Sequence, residues 1–229
     1  MVAVKICGVR TMDAALVCAE LGVDFVGFNF VPASRRAVDV QRARGMRLVL
    51  GGTHAVGVFR DESLGSMCRV VDTVGLDWIQ LHGDETPDTC TRMREYGVGV
   101  IKAIPISEHV HDLMRSYHGR ANILLIDAPV AGSGTPWPWD RLASYRYWFS
   151  GRNGTAERPK VFIAGGLTHT TVGLAIAAIE PDGVDVASGV ESAGEIDIAR
   201  VRAFYAAVHA HATTQYEPHG RINSIRSLR

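Results

Sequence analysis

The chain has 229 residues, 47% of them hydrophobic, and is therefore long enough to bury a substantial core. Lys and Arg together number 24, Asp and Glu together also number 24, and the formal net charge at pH 7 is zero. This balance provides no bulk electrostatic attraction to nucleic acid or to an anionic membrane, so neither is an expected partner. Any anionic ligand must be held by a local site.

Four cysteines are widely spaced and form no CxxC motif or Cys/His cluster; they are Cys7, Cys18, Cys68 and Cys90. The first residues lack the basic region followed by a long apolar region that marks a signal peptide, and no apolar run has the length of a membrane span. We therefore expect a reduced, soluble, cytoplasmic protein. No spacing of His, Asp and Glu suggests a metal site, and no cofactor is expected.

Short apolar runs alternate with helix-like segments along the chain. The predicted strands, apolar on both faces as in helix-covered parallel sheets, are Val2–Cys7, Phe25–Phe30, Ala55–Phe59, Trp78–Leu81, Gly99–Ile104, Ile123–Asp127, Val161–Ala164 and Val184–Ala187. The predicted amphipathic helices lie near Asp13–Leu21, Val40–Leu50, Ser63–Val74, Pro87–Tyr96, Glu108–Tyr117, Trp139–Phe149, Thr170–Ile179 and Ile196–Ala210.

Eight strand–helix units in a chain of this length predict an α/β fold, a single (β/α)8 TIM barrel with a parallel eight-stranded core. A doubly wound open sheet is the main alternative, because counting units cannot show whether the sheet closes. The barrel domain is expected to span residues 1–212. The apolar period is lost from about Thr213, which predicts a loosely held C-terminal tail over residues 213–229.

Glycine-containing loops follow three of the predicted strands. Gly165 and Gly166 follow the seventh strand, Ser188 and Gly189 follow the eighth, and Gly134 lies in a glycine-rich stretch after the sixth. Bare backbone N–H groups in such loops can approach a phosphate, and barrels usually bind phosphate after strands seven and eight. A lone glycine pair is equally consistent with a tight turn, but two pairs at these units favour a phosphate site.

Cys7 and Asp127 end the first and the sixth predicted strands. A thiolate can act as a base or a nucleophile, but a lone cysteine is more often a small buried hydrophobe. Asp127 follows an apolar run that disfavours an idle carboxylate, although capping a loop or pairing with an arginine would also explain it. An acid and a base on opposite walls of a barrel mouth suit a reaction that moves protons.

Two further residues at the strand ends are candidate ligand contacts. Arg36 lies in the loop after the second strand, where a guanidinium can hold a carboxylate through two hydrogen bonds. Sequence alone cannot decide whether Arg36 or its neighbour Arg35 contacts a ligand. His82 ends a short strand, and a structural histidine is as consistent with its position as a ligand contact.

These motifs together resemble the phosphoribosylanthranilate isomerase family over nearly the whole chain. In order, they are Lys5–Gly8 (KICG), Gly27–Phe30 (GFNF), Gly57–Phe59, Gln80–Glu85 (QLHGDE), Leu125–Asp127, Ala164–Thr168 (AGGLT) and Val184–Glu191. The resemblance implies a (β/α)8 barrel that converts N-(5-phosphoribosyl)anthranilate to 1-(2-carboxyphenylamino)-1-deoxyribulose 5-phosphate. That reaction is an Amadori rearrangement in tryptophan biosynthesis, and it needs no cofactor or metal.

The resemblance also implies roles for individual residues. Cys7 matches the family's general base and Asp127 its general acid, Arg36 matches the arginine near the anthranilate carboxylate, and Asp185 matches an aspartate that contacts the sugar. The chain departs from the family pattern in the loop after strand six, where Gly132–Asp140 contains two prolines and two tryptophans. This departure bears on loop closure and on the range of substrates.

Two other functions are compatible with parts of the pattern. A histidine-pathway isomerase performs a similar Amadori step, but such enzymes usually pair two aspartates, and Cys7 argues against that assignment. A phosphate-ligand-binding protein without activity, specialised for regulation or partner binding, is the alternative outside the enzymes, and the altered loop after strand six is compatible with it. Because no long apolar seam indicates a partner chain, a monomer that binds a small phosphorylated substrate is expected.

Overall fold

The structure, a computed structural model, describes residues 1–107, 109–127 and 159–214. Eight parallel strands form a closed barrel in chain order, with β8 hydrogen-bonded to β1. The strands are β1 (Ala3–Cys7), β2 (Phe25–Asn29), β3 (His54–Phe59), β4 (Trp78–Leu81), β5 (Gly99–Pro105), β6 (Ile123–Asp127), β7 (Lys160–Ala164) and β8 (Gly183–Val186). Closure confirms the predicted TIM barrel and excludes the open sheet.

The described residues also form seven α-helices and a short ribbon. The helices are α1 (Met12–Leu21), α2 (Val40–Arg47), α3 (Leu64–Val74), α4 (Pro87–Glu95), α5 (Val110–Ser116), α6 (Val172–Ile179) and α7 (Ile198–Thr214). Strands β9 (Glu191–Ser192) and β10 (Glu195–Ile196) pair antiparallel after β8. None of the helices in this part of the chain is both long enough and apolar enough to cross a bilayer.

The predicted strands agree with the observed ones to within one residue at each end, whereas helix ends differ by up to four residues. Helix α6 begins at Val172 because residues 168–171 form a turn instead, in which Thr171 Oγ1 accepts the backbone N–H of Thr168. The predicted helix near Trp139–Phe149 lies outside the described residues. So does the predicted tail over residues 213–229, apart from its first two residues, which extend α7.

Side-chain alternation along the strands creates two hydrophobic cores. Residues that face outward pack against the helices, while Phe25, Leu125 and Phe162 are among those that fill the barrel interior. The Phe25 ring packs edge-on against the rings of Trp78 and Phe162, at centroid distances of 5.4 and 5.7 Å. This aromatic layer fills the barrel near the amino ends of the strands, so a cavity can form only towards their carboxyl ends.

A buried ion pair outside the barrel positions the loop after β4. Lys102 Nζ on β5 donates to Glu85 Oε2 at 3.0 Å and to the carbonyl oxygen of Gly83, and the Lys102 and Glu85 side chains are each 3% exposed. Glu85 also accepts the backbone N–H groups of Gly83 and Asp61. This loop begins with His82, so the ion pair helps to position a candidate site residue.

We expect Lys102→Met to lower the free energy of unfolding by about 3 kcal/mol, because the substitution leaves the Glu85 carboxylate buried without its cation. Arg92→Ala is the control, since the Arg92–Asp88 pair on α4 is largely solvent-exposed and exposed pairs contribute about 0.5 kcal/mol. Urea unfolding followed by tryptophan fluorescence measures both variants. Equal losses of stability in the two variants would contradict this account.

Candidate active site

A cavity of about 340 Å³ opens at the carboxyl ends of the barrel strands. Its lining includes nearly every residue predicted for the site, namely Cys7, Arg36, His82, Asp127, Gly165, Gly166, Asp185 and Ser188. Gly189 lies next to the lining residue Ser188 without lining the cavity itself, and Gly134 lies outside the described residues. The barrel therefore gathers into one cavity side chains that are far apart in the sequence.

Cys7 is the last residue of β1, and its side chain is almost completely buried at the base of this cavity. Burial raises the pKa of the Cys7 thiol, because a thiolate is poorly solvated there. The charges of Lys5 and Arg36 act in the opposite direction and lower it, while the Asp185 carboxylate adds to the increase. The net result is a pKa above the ordinary value of a thiol, so Cys7 is protonated in the free protein at neutral pH.

Lys5 is not among the predicted site residues, yet it lies one inward-facing position before Cys7 on β1. Its side chain is fully buried, and Lys5 Nζ donates to Asp185 Oδ1 at 2.9 Å. Burial disfavours the charged form of Lys5, but Asp185 and Cys7 outweigh it and raise the pKa of Lys5. A lysine at an inward position of an otherwise apolar strand was the signal in the sequence for this residue.

Gly27 on β2 provides the space that Lys5 and Cys7 share. Strand register pairs Gly27 with Cys7. A Cβ atom added at Gly27 would lie 2.9 Å from Cys7 Sγ and 3.2 Å from Lys5 Nζ. The glycine of the GFNF motif is therefore required by close packing, since a larger residue would displace the thiol or the ammonium group.

Arg36 is held by a buried carboxylate that was not predicted as a site residue. Its Nε and one terminal nitrogen donate to the two carboxylate oxygens of Glu191, and these hydrogen bonds raise the pKa of Arg36. The side chain of Arg35 also donates to Glu191 but is 63% exposed, and Arg36 rather than Arg35 lines the cavity. Gly8 makes room for Arg36, because a Cβ there would lie 2.6 Å from Arg36 Cδ.

His82 connects the wall of the cavity to Asp127. Gln80 Nε2 lies 2.8 Å from His82 Nδ1, and His82 Nε2 lies 3.3 Å from Asp127 Oδ2. If Gln80 donates to Nδ1, the ring proton is on Nε2 and faces the Asp127 carboxylate. Within the described part of the chain, the side chain that faces Asp127 is therefore a histidine and not the arginine that the sequence left open.

The loops after β7 and β8 meet through their backbones at one side of the cavity. Gly165 and Gly166 have positive φ angles of 90° and 68°, which glycine adopts without strain. Ser188 begins the 3-10 helix Ser188–Val190. A Cβ on Gly189 would lie 1.8 Å from the carbonyl oxygen of Leu167, so only glycine allows the two loops to approach this closely.

Comparison with known proteins gives concordant results. Residues 4–207 match the family described as N-(5'phosphoribosyl)anthranilate (PRA) isomerase. An N-(5'-phosphoribosyl)anthranilate isomerase of Rubrobacter xylanophilus is 39% identical over 198 residues, which cover 84% of this chain and 91% of the relative. One of Thermotoga neapolitana is 39% identical over 209 residues, covering 89% of this chain and 97% of the relative.

The chain belongs to the PRA isomerase family. It is accordingly an isomerase, and the resemblance seen in its motifs is confirmed. The crystal structure of phosphoribosyl anthranilate isomerase from Thermotoga maritima matches it with a TM-score of 0.81 at 32% identity, covering 92% of this chain and 100% of that one. Another PRA isomerase structure, with a TM-score of 0.79 at 31% identity and the same coverage, contains reduced 1-(o-carboxyphenylamino)-1-deoxyribulose 5-phosphate.

The PRA isomerase motifs thus have defined places in this structure. The KICG motif supplies Lys5, Cys7 and Gly8, and the GFNF motif supplies Gly27. Cys18, Cys68 and Cys90 lie in α1, α3 and α4 and do not line the cavity. In the ranges that the structure describes, no three His, Cys, Asp or Glu side chains are grouped closely enough to bind a metal ion.

We expect iodoacetamide to alkylate Cys7 of the folded protein more slowly at neutral pH than Cys7 of the urea-unfolded chain. The rate should still be rising above about pH 9, because burial raises the pKa of the thiol and only the thiolate reacts. Mass spectrometry of the peptide that contains Cys7 measures the rate. Restricted access alone would slow the reaction equally at every pH, so a folded-state profile with the same midpoint as the unfolded chain would contradict this prediction.

Proposed function

We propose that the cavity binds N-(5-phosphoribosyl)anthranilate and isomerises it to 1-(2-carboxyphenylamino)-1-deoxyribulose 5-phosphate in tryptophan biosynthesis. The observation that carries this proposal is that Cys7 and Asp127 both line one cavity in a chain of the PRA isomerase family. They end β1 and β6, which are three strands apart around the barrel, so a sugar ring can lie between them. The monomeric state and the cytoplasmic location stay predictions from the sequence.

The polar groups of the cavity suggest an orientation for this substrate. Gly165, Gly166 and Ser188 line one side of the cavity, and loops of this kind after strands seven and eight are where barrels usually bind a phosphate. Arg36 uses one edge of its guanidinium for Glu191, and its other N–H groups are available for the anthranilate carboxylate. Asp185 can accept a hydrogen bond from a sugar hydroxyl. Gly134 and Gly189 complete the proposed phosphate set.

The first proposed step opens the ribose ring. Asp127, as a carboxylic acid, donates its proton to the ring oxygen while the bond between that oxygen and C1 breaks. The nitrogen lone pair then forms the C1=N bond, which produces a protonated Schiff base. His82 lies 3.3 Å from Asp127 and its side chain is 41% exposed, so it can exchange a proton between Asp127 and water at the mouth.

The second proposed step transfers a proton from the sugar to Cys7. The Cys7 thiol first loses its proton to water, and the thiolate then takes the proton from C2. The C–H electron pair forms the C1=C2 bond, and the C1=N electron pair returns to nitrogen. The resulting enolamine becomes the ketone when O2 loses its proton and C1 gains one. The product is an isomer of the substrate, so the sequence of steps consumes no oxidant or reductant.

The phosphate contributes to rate without taking part in bond changes. Its binding at the loops after β7 and β8 would hold the sugar between Cys7 and Asp127, and binding energy from a remote group can be used for positioning. The backbone contact between these loops, centred on Gly189, keeps the phosphate wall in one shape.

We expect Cys7→Ala and Asp127→Asn each to reduce turnover by at least about 100-fold, because each removes a proposed proton-transfer group. The melting temperature should change little. A fluorescence assay of substrate consumption measures the rate, and Cys68→Ala in α3 is the matched cysteine control that should retain activity. Near-normal turnover in either site variant would overturn the assigned roles.

The same assay separates the remaining functions. An isomerase of the histidine pathway would consume the corresponding aminoaldose of that pathway and not phosphoribosylanthranilate. A binding protein without activity would bind a reduced product analogue tightly and consume neither substrate.

We expect Gly189→Ala to weaken binding of the reduced product analogue by about tenfold, because its Cβ would force the loops after β7 and β8 apart at Leu167. Gly97→Ala is the control: Gly97 has a positive φ of 103°, lies between α4 and β5 at the far end of the barrel, and has open space for a Cβ. That variant should lose about 1 kcal/mol of stability and keep its affinity. Isothermal titration calorimetry compares the two, and unchanged affinity in Gly189→Ala would contradict the phosphate assignment.

A further inference from the structure

Lys5 is a buried charged residue that the proposed reaction does not use. A buried ion pair seldom stabilises a fold, since desolvation of both charges offsets their attraction. The Lys5–Asp185 pair is buried inside the barrel, and Asp185 lines the cavity. Stability is therefore a poor explanation for this lysine, and its neighbours suggest another.

The position of Lys5 is determined by the barrel itself. Lys5 and Cys7 are separated by one residue on β1, so their side chains point to the same interior. Strand register places Lys5 directly beside Asp185 of β8. Because a Cβ on Gly27 would contact both Lys5 Nζ and Cys7 Sγ, the ammonium and thiol groups border the same small space.

The charged groups around Cys7 come from three further places. Asp185 lies on β8, Arg36 lies in the loop after β2, and Glu191, on β9, neutralises Arg36. The neighbouring strand β2 contributes Gly27 and therefore no charge. Lys5 is the only fully buried cation of this group, so its field at Cys7 is the least screened by water.

We infer that Lys5 is a positioning residue for Cys7: its ammonium group, held in place by Asp185, stabilises the anion of Cys7 in the barrel interior. The inference rests on the proposed role of Cys7 as the base. An ammonium group has three N–H bonds, so one can remain on Asp185 while another turns to the sulfur. Asp185 anchors the cation and at the same time partly offsets its charge.

Because Lys5 and Asp185 carry opposite charges, removing one or the other should change the reactivity of Cys7 in opposite directions. Lys5→Met removes the cation, and the Cys7 thiolate should form less readily. Asp185→Asn removes the carboxylate that opposes the Cys7 anion and keeps an oxygen that can accept from Lys5 Nζ, so the thiolate should form more readily. At neutral pH we expect alkylation of Cys7 by iodoacetamide to be about tenfold slower in the first variant and about tenfold faster in the second.

Lys102→Met is the matched control. It removes the other buried lysine, whose partner is Glu85, from outside the barrel. It should lose stability without changing the pH dependence of Cys7 alkylation. Cys68 on α3 is the internal reference in every sample, because it is half-buried and far along the chain from both lysines.

Turnover provides the second measurement. In Lys5→Met, kcat/KM should fall at neutral pH and recover part of the loss as the pH rises, since more thiolate then forms. A purely structural role for Lys5 would lower kcat/KM by the same factor at every pH, and that result would overturn the inference.

The alkylation profiles decide the remaining outcomes. Identical profiles in the wild type and Lys5→Met, or slower alkylation in Asp185→Asn, would also overturn it. If Lys5→Met does not fold, Lys5→Gln takes its place: it keeps a hydrogen-bond donor for Asp185 without the charge and should show the same slower alkylation. Failure of the proposed function is a separate result: the wild type would then consume no phosphoribosylanthranilate, or Cys7→Ala would retain turnover, whatever the alkylation profiles show.

Discussion

The pairing of β8 with β1 is the constraint on which the site depends. This pairing closes the barrel and brings Lys5 beside Asp185, two residues 180 positions apart in the sequence. The same closure places the loop after β8 next to Cys7, so that the thiol, Asp185 of the buried ion pair and the proposed phosphate wall line one cavity. An open sheet would keep each motif and lose the site, because its edge strands would be apart.

Charge inside the mouth is arranged in opposite pairs. Lys5 is matched by Asp185 and Arg36 by Glu191, and His82 adjoins Asp127. Pairing allows several charged groups to occupy a largely desolvated space, which an unpaired charge could do only at a large free-energy cost. It also holds the side chains in fixed orientations before a ligand arrives, which is the form of preorganisation that favours charge development during a reaction.

The sequence predicted the barrel well because continuous apolar runs of parallel strands are distinctive, and Trp78–Leu81 and Ile123–Asp127 were found with their correct bounds. Cys7, Asp127 and the glycine loops were predictable because strand ends share one face of a barrel.

Lys5 and Glu191 were missed, since their importance depends on register across β8 and on a partner distant in sequence. Arg36 and Arg35 could be separated only once the cavity was known. The start of α6 was misplaced because Thr171 is used in a side-chain hydrogen bond to the preceding turn.

Cys7 shows that a lone cysteine can be a small buried residue and still be a candidate base. It is almost fully buried, as a small hydrophobe would be, and burial is the largest influence on its pKa. A raised pKa reduces the fraction of thiolate, but each thiolate that forms is a stronger base towards the C2 proton. A base is most effective when these two effects balance near the working pH. Burial alone would raise the pKa of Cys7 too far for that balance. Cations such as Lys5 and Arg36 offset part of the burial effect, which is what the proposed role of a thiol as a base requires at so buried a position.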